Sequence, residues 1–215
     1  MTAVSIAELE RSPLYSEDLG IALAGGDPQV FRWFLASFLF GGRIGETIAR
    51  NTYRSFERHG LLTPDAIRGA GWGYLVNPVM REGGYVRYDE SKSDRLLRIC
   101  DILADTYGDR LSALHDAARD SRDLEDRLCL FPGVGPVTAN IFLRELRAFW
   151  PKADPEPLPL IAETAGALGI DLALYPRHSL VFSRVEAGLL RLAKAARRDA
   201  RRRPPTAPVT RAAIT

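Results

Sequence analysis

Cysteine, histidine and long apolar runs are all scarce in this sequence, and each shortage excludes a class of protein. The two cysteines, Cys100 and Cys129, provide no disulfide framework and are expected to be thiols in a reducing cytoplasm. The three histidines lie near no cysteine or acidic cluster of metal-ligand spacing. No run of about 18 uncharged apolar residues occurs, so no membrane span is expected. The first ten residues lack the basic and apolar regions of a signal peptide.

A large net charge is also absent, but the basic residues are unevenly distributed. The net charge is +2, although residues 191–215 hold eight basic side chains against the single acid Asp199. Such a segment attracts a polyanion without reading its sequence, and the alternative is a solvated helix end. Pro204 and Pro205 predict that order ends near Arg203 and that residues 204–215 form a disordered tail.

Patterns typical of β-strands are nearly missing, and helical periodicity fills the chain. Residues 84–88 alternate only briefly, whereas Thr63, Pro64 and Asp65 form a helix start. Four prolines within residues 151–159 exclude a helix there. Apolar residues recur at helical spacing in the segments 28–58, with a break at Gly41-Gly42, 89–103, 121–130, 136–146, 161–168 and 183–203. The predicted fold class is all-α, with Ser121 as a helix cap.

The most informative motif is LCLFPGVGPVTAN, residues 128–140. Gly133 and Gly135 allow a sharp turn between two helices, because glycine adopts backbone conformations that other residues avoid. The turn exposes backbone amides beside a helix N-terminus, which suits a phosphate group. Val134 is predicted to point inward, and Thr138 to add a polar contact. Contacts of this kind would hold duplex DNA by its backbone.

The motif resembles the helix-hairpin-helix of endonuclease III, adenine-mismatch glycosylases and alkyladenine glycosylases. The resemblance extends over roughly residues 28–195. It implies two intertwined helical lobes within residues 1–203, with the hairpin 131–135 at the mouth of an interlobe cleft. It also implies a monomer that binds damaged double-stranded DNA in the cytoplasm, associated with the nucleoid.

The family resemblance further implies base-excision chemistry. Relatives flip a base out of the duplex, and a carboxylate stabilises the charge that develops on the sugar as the glycosidic bond breaks. Bifunctional relatives have a lysine where this chain has Val137, so no Schiff-base lyase activity is expected. The carboxylate corresponds to Asp154 or Glu156, and we favour Asp154 because aspartate is the usual residue. The alternative is an exposed acid in a proline-rich loop.

Other positions depart from the family pattern or match it loosely. The glutamine that relatives insert into the duplex would fall near Gly42, and the adjacent Arg43 is a candidate replacement that would contact DNA. Tyr85 and Tyr88 are candidates for the base pocket, although aromatic residues in helical proteins are more often core residues.

The resemblance has two implications for cofactors. The iron–sulfur motif of some relatives is missing, so no cofactor is required. The carbonyls of Cys129, Phe131 and Val134 match positions that hold a monovalent cation, Na⁺ or K⁺, in relatives.

Two functional hypotheses follow. The first is a monofunctional DNA glycosylase, a hydrolase that excises a damaged or mispaired base. The second is a catalytically inactive DNA-binding protein that recognises distorted DNA.

Overall fold

The computed structural model describes residues 5–42 and 44–202, and they are helical with no strand among them. Arg43 and the segment 204–215 lie outside the described residues. The helices are α1 (Ile6–Glu10), α2 (Tyr15–Asp18), α3 (Asp27–Phe40), α4 (Glu46–Arg58), α5 (Pro64–Tyr74), α6 (Asp89–Tyr107), α7 (Leu111–Ala117), α8 (Ser121–Cys129), α9 (Pro136–Arg144), α10 (Pro159–Ala167) and α11 (Leu180–Arg202). A π-helical segment, Leu75–Met80, continues α5. Within the described ranges, no helix has the length and apolarity to cross a bilayer.

Helix starts follow the capping residues, and three of them differ from the prediction, including α10, which begins at Pro159 rather than at Ile161 because proline is tolerated at the first helical position. Thr63 caps α5 as predicted, since its hydroxyl accepts a hydrogen bond from the Ala66 amide at 3.2 Å. The prediction of Ser121 as the cap of α8 was wrong: Asp120 accepts from the Asp123 amide at 2.8 Å. Helix α11 begins before the predicted Ser183, because the Ser179 hydroxyl accepts from the Phe182 amide at 3.0 Å.

Helix α3 lies at the centre of the core. From Trp33 to Leu39 every residue is buried, and all but Ser37 are apolar, so this part of the helix is buried on all sides rather than along one stripe. It packs against α4, α7 and α9. The Trp33 indole donates a hydrogen bond to the Phe142 carbonyl of α9 at 3.0 Å, and the ring of Phe34 lies edge-on to Phe142 and Phe131. The core therefore fixes α9 against α3.

The end of α3 approaches the first turn of α9 so closely that only glycine fits between them. A Cβ atom on Gly41 would lie 1.9 Å from Oγ1 of Thr138. The φ angle of Gly41 is −71°, an ordinary helical value, so space rather than backbone conformation requires glycine here.

The two ends of the described chain pack together. Helix α11 packs against α1 and α10, and a Cβ on Gly188 would lie 2.7 Å from the Leu9 side chain. Arg184 of α11 pairs with Glu17 at 2.6 Å. The C-terminal helix thus covers the N-terminal segment, while the middle helices α5 and α6 pack on each other.

Lys92 joins α6 to the end of α3. Its ammonium donates to the Phe38 carbonyl at 2.6 Å, and only 6% of the residue is exposed. Burial, together with the charge of Arg95, lowers the pKa of Lys92 to about 7. The Phe38 ring, with its centroid 3.3 Å from Nζ, favours the charged form, but the loss of hydration is the larger effect.

We predict that Lys92 makes the stability of the protein rise with pH. Its pKa is about 7 in the folded protein and 10.5 ordinarily, so the unfolded chain binds more protons in this window. The free energy of unfolding should therefore rise between pH 7 and 9, by up to about 1.4 kcal/mol per pH unit. In Lys92→Met this rise should be lost, as measured by urea unfolding at each pH.

Lys152→Met is the matched control, because Lys152 also donates to backbone carbonyls but is partly exposed. It should keep the wild-type dependence on pH. An unchanged slope in Lys92→Met would contradict the assignment.

Candidate nucleic-acid interface and adjoining cavity

Residues 130–135 connect α8 to α9 in a tight turn. Gly133 has φ +76°, in the left-handed region that favours glycine, and Gly135 is extended. Phe131 and Val134 are 3% and 5% exposed, and they anchor the turn to the core. Gly133 is exposed between these two anchors, so the turn presents its backbone to the outside.

A row of backbone amides is free at this turn. The amides of Gly133, Gly135, Val137 and Thr138 donate to no acceptor among the described residues, whereas that of Val134 donates to the Phe131 carbonyl at 3.0 Å. Helix α9 begins at Pro136, so the last two of these amides lie in its first turn, where the helix dipole adds partial positive charge. An anion is the natural ligand of such a row.

Arg95 of α6 adds a full positive charge beside the turn. A Cβ on Gly133 would lie 2.7 Å from Cδ of Arg95, so the arginine packs across the glycine, and its side chain is exposed. The sequence analysis missed this residue because Arg95 and Gly133 are far apart in the chain. An exposed arginine on a helix carries no local signal that it will meet a glycine turn.

The carbonyls predicted to face a monovalent cation have free lone pairs. The Cys129 and Val134 carbonyls accept no hydrogen bond from the described residues, and the Phe131 carbonyl accepts one. Oxygen ligands suit such a cation, so these groups fit it. No cluster of three or more histidine, cysteine or acidic side chains able to hold a metal occurs within the described part of the chain.

The two candidate carboxylates lie in different environments. Asp154 bonds to Arg147 and accepts from Nε of Arg177 at 2.8 and 3.0 Å. Glu156 has 86% of its side chain exposed, and Arg177 reaches it at 3.3 Å. Its backbone carbonyl accepts from the Asn140 amide group at 2.8 Å, which ties the loop to α9. Asp154 is therefore held by two arginines, whereas Glu156 is largely solvated.

Arg147 connects the loop to the protein interior. Both Arg147 and Glu186 have fully buried side chains, and Nε of Arg147 lies 3.0 Å from the Glu186 carboxylate. Burial raises the pKa of Glu186, and the charge of Arg147 opposes that rise. The position of Asp154 thus depends on a buried ion pair between α11 and the segment that follows α9.

A cavity of about 420 Å³, here called the α9 cavity, opens beside the first turn of α9. Val137, Ile141 and Arg144 line it from one face of α9, as expected for helical spacing. The other lining residues come from distant parts of the chain and are Tyr15, Phe40, Ile44, Glu46, Leu158, Leu190 and Lys194. Asp154 and Glu156 do not line it, although Leu158 of the same loop does.

The mouth of the α9 cavity carries an ion pair. Lys194 lies 2.8 Å from the Glu46 carboxylate. Burial would raise the pKa of Glu46, but hydrogen bonds and the charges of Lys194 and Arg50 lower it overall. A second cavity shares Tyr15, Glu46 and Lys194 with the first and continues along α11 past Arg191. The basic residues Arg191, Lys194 and Arg198 of α11 therefore line the second cavity, and Lys194 also lines the α9 cavity.

The tyrosines predicted for a base pocket do not line the α9 cavity. Tyr85 is 3% exposed, and its hydroxyl would meet a Cβ on Gly42 at 2.8 Å. Tyr88 is 53% exposed and has φ +67° at the start of α6. The structure therefore separates the two side chains, one in the core and one at the surface. Arg43, the candidate for insertion into DNA, lies outside the described residues.

We predict that Arg147 carries much more of the stability than Arg177. Arg147→Met leaves Glu186 buried without a partner, which should lower the free energy of unfolding by about 3–5 kcal/mol. Arg177→Met removes a partly exposed arginine and should cost less than about 1 kcal/mol. Urea unfolding of both variants measures the difference, and equal losses would contradict it.

Comparison with known proteins identified no relative of this chain. No protein-family model, curated protein or solved structure matches the chain. The function is therefore argued from the residues and distances given above.

Proposed function

We propose that this protein is a monofunctional DNA glycosylase, which binds duplex DNA at the turn between α8 and α9 and hydrolyses the glycosidic bond of a flipped base. The observation that carries the proposal is that the amide row and the α9 cavity meet at Val137. Its amide is one of the free donors, and its side chain lines the cavity. A nucleotide needs both features, a donor row for its phosphate and an adjacent cavity for its base.

The size and composition of the α9 cavity support a base as its occupant. A volume of about 420 Å³ lies in the range of small-molecule sites, and its walls are mostly apolar with a few polar groups. Tyr15 and Phe40 contribute aromatic rings. Flat apolar and aromatic walls suit a nucleobase, which stacks through its π faces.

Binding to the DNA backbone is assigned to the turn and its surroundings. The amides of Gly133 and Gly135, the first turn of α9 and the Arg95 side chain face a phosphate. The carbonyls of Cys129, Phe131 and Val134 would hold a monovalent cation, which would supply a positive charge to the same phosphate. The contacts are to the backbone, so affinity should depend on salt and little on sequence.

Asp154 is the proposed catalytic carboxylate. In its ionised form it stabilises positive charge on the sugar and accepts a proton from the attacking water. Because Arg177 is partly exposed, it is able to leave Asp154 and bind a DNA phosphate, and Asp154 would then keep Arg147 as its one arginine partner among the described residues. Val137 provides no amine, so the reaction ends at base release without a Schiff base.

A non-catalytic DNA-binding protein is the second candidate. It is favoured by the pairing of Asp154 with both Arg147 and Arg177, which opposes a role in stabilising a cationic sugar. The two candidate functions share the same DNA-binding surface. They differ in whether the Asp154 carboxylate takes part in catalysis.

We predict that Gly133→Ala weakens binding of duplex DNA by roughly tenfold or more, because lost hydrogen bonds to a charged group cost about 1.5–3 kcal/mol. Alanine is strained at φ +76° and collides with Arg95. Gly60→Ala is the matched control, since Gly60 has φ +69° with open space around it. It carries a similar strain away from the turn and should bind DNA normally in an equilibrium titration. Equal losses in the two variants would remove the turn from the interface.

We predict that Asp154→Asn slows base release by about 100-fold or more, whereas Glu156→Gln has little effect, because only Asp154 is held near the buried network. The measurement is single-turnover release from duplexes with one alkylated, deaminated, oxidised or mismatched base. Both variants should still bind DNA. If the wild-type protein binds these duplexes and releases no base, the second candidate is correct.

A further inference from the structure

The α9 cavity contains a buried guanidinium without a hydrogen-bond partner. Arg144 is 3% exposed, and its Nε and Nη1 atoms are buried with no acceptor among the described residues. The neighbouring Glu145 carboxylate does not bond to it, because that group accepts from the amides of Tyr15 and Ser16, each at 2.9 Å. The Arg144 guanidinium carbon lies 5.4 Å from the centroid of the Tyr15 ring.

Such an arrangement costs stability unless something else accepts these hydrogen bonds. The Arg144 charge favours the ionised form of the buried carboxylates of Glu145 and Glu186, but buried N–H donors that find no acceptor lose their hydration without a hydrogen bond in return. The other charges lining the cavity, those of Glu46 and Lys194 at its mouth, pair with each other. Arg144 is thus an unused donor group in a mostly apolar cavity, which indicates a ligand with acceptor atoms.

We propose that Arg144 selects a deaminated base, and this inference rests on the proposed function. A guanidinium has only donors. Deamination replaces the exocyclic amino group of cytosine or adenine, a donor, by a carbonyl, an acceptor. In this proposal the exocyclic position of the base faces Arg144, which therefore accepts the carbonyl of uracil or hypoxanthine and rejects the amino group of cytosine or adenine, since a donor facing a donor leaves both unpaired.

The same positive charge disfavours another class of damaged base. Purine nucleotides alkylated at N3 or N7 carry a positive charge on the base, which Arg144 repels. Thymine and guanine also present a carbonyl, so the cavity alone does not reject them. A correctly paired base costs more to flip than a mispaired one, and this difference keeps them in the duplex.

Arg144 also stabilises the departing base. The bond between C1′ and the base nitrogen breaks, and its electron pair leaves with the base as an anion. The water oxygen forms the new bond to C1′, and its proton passes to the Asp154 carboxylate. Negative charge on the base spreads to its carbonyl oxygen, to which the Arg144 guanidinium donates. The anion then takes a proton from solvent.

The test compares Arg144→Met and Arg144→Gln with the wild-type protein in single-turnover release from duplexes containing uracil, hypoxanthine, 7-methylguanine or 8-oxoguanine. The wild-type protein should release uracil and hypoxanthine fastest, and Arg144→Met should slow this release by about 100-fold or more. Arg144→Gln should also lose its preference for uracil over mispaired cytosine, because a glutamine amide both donates and accepts. Loss of structure alone would not produce this change in preference.

Two controls separate a role in recognition from a role in folding. Arg184→Met removes a partly buried arginine outside the α9 cavity and should leave release rates unchanged. Arg144→Met and Arg144→Gln remove the same positive charge, which favours the ionised form of the buried carboxylates of Glu145 and Glu186, so both variants should melt below the wild-type protein and by similar amounts. If both variants lose stability equally and neither changes the preference among bases, Arg144 is structural and the proposal is overturned.

The failure of this inference differs from the failure of the proposed function. Release of 7-methylguanine or 8-oxoguanine in preference to uracil would overturn the role of Arg144 and leave the glycosylase intact. If no base is released, the decisive measurement is binding of duplexes with 2′-fluorodeoxyuridine or 2′-fluorodeoxycytidine at a mismatch. Tighter binding of the uridine duplex, lost in Arg144→Met, would uphold recognition without catalysis. If the uridine and cytidine duplexes bind equally, both the role of Arg144 and the proposed function are overturned.

Discussion

The close contact between the end of α3 and the first turn of α9 determines the rest of the arrangement. Helix α3 is buried on all sides between Trp33 and Leu39 and is fixed by the core, so the elements that pack against it are fixed as well. Gly41 has no side chain, which lets Thr138 lie directly against it. The same first turn of α9 carries the free amides and Val137, and Arg144 follows two turns later. The contact between Gly41 and Thr138 thus fixes the position of α9, and with it the positions of the amide row and the α9 cavity.

Three arginines illustrate how burial and pairing give the same type of side chain different roles. Arg147 is fully buried but paired with Glu186 and Asp154, so its charge is compensated and it stabilises the loop. Arg95 is exposed, so water compensates its charge and leaves it free to meet an anion. Arg144 is buried and has no hydrogen-bond acceptor for its Nε and Nη1 atoms among the described residues, a combination that stability alone would not favour. Features that stability alone would not favour concentrate at functional sites, which supports the role of Arg144 in the proposed function.

Local signals predicted the helices well and their first residues less well. Thr63 followed by Pro64 marked the start of α5, because a capping hydroxyl and a proline act within one turn. Asp120 rather than Ser121 caps α8, since adjacent residues of equal capping ability leave the choice to the path of the incoming chain. The tyrosines of the glycine-rich segment show a further limit: sequence spacing did not reveal that Tyr85 is buried and Tyr88 exposed.

The sequence by itself determined the all-helical fold and the turn between α8 and α9, because periodicity, capping and glycine conformation act over a few residues. It also determined that Val137 carries no amine. Only the tertiary structure decided that Arg95 lies across Gly133, that Arg147 and Arg177 hold Asp154, and that Arg144 faces a cavity without a partner. Those relations join residues from distant parts of the chain, and whether a charge is paired depends on which helices pack together.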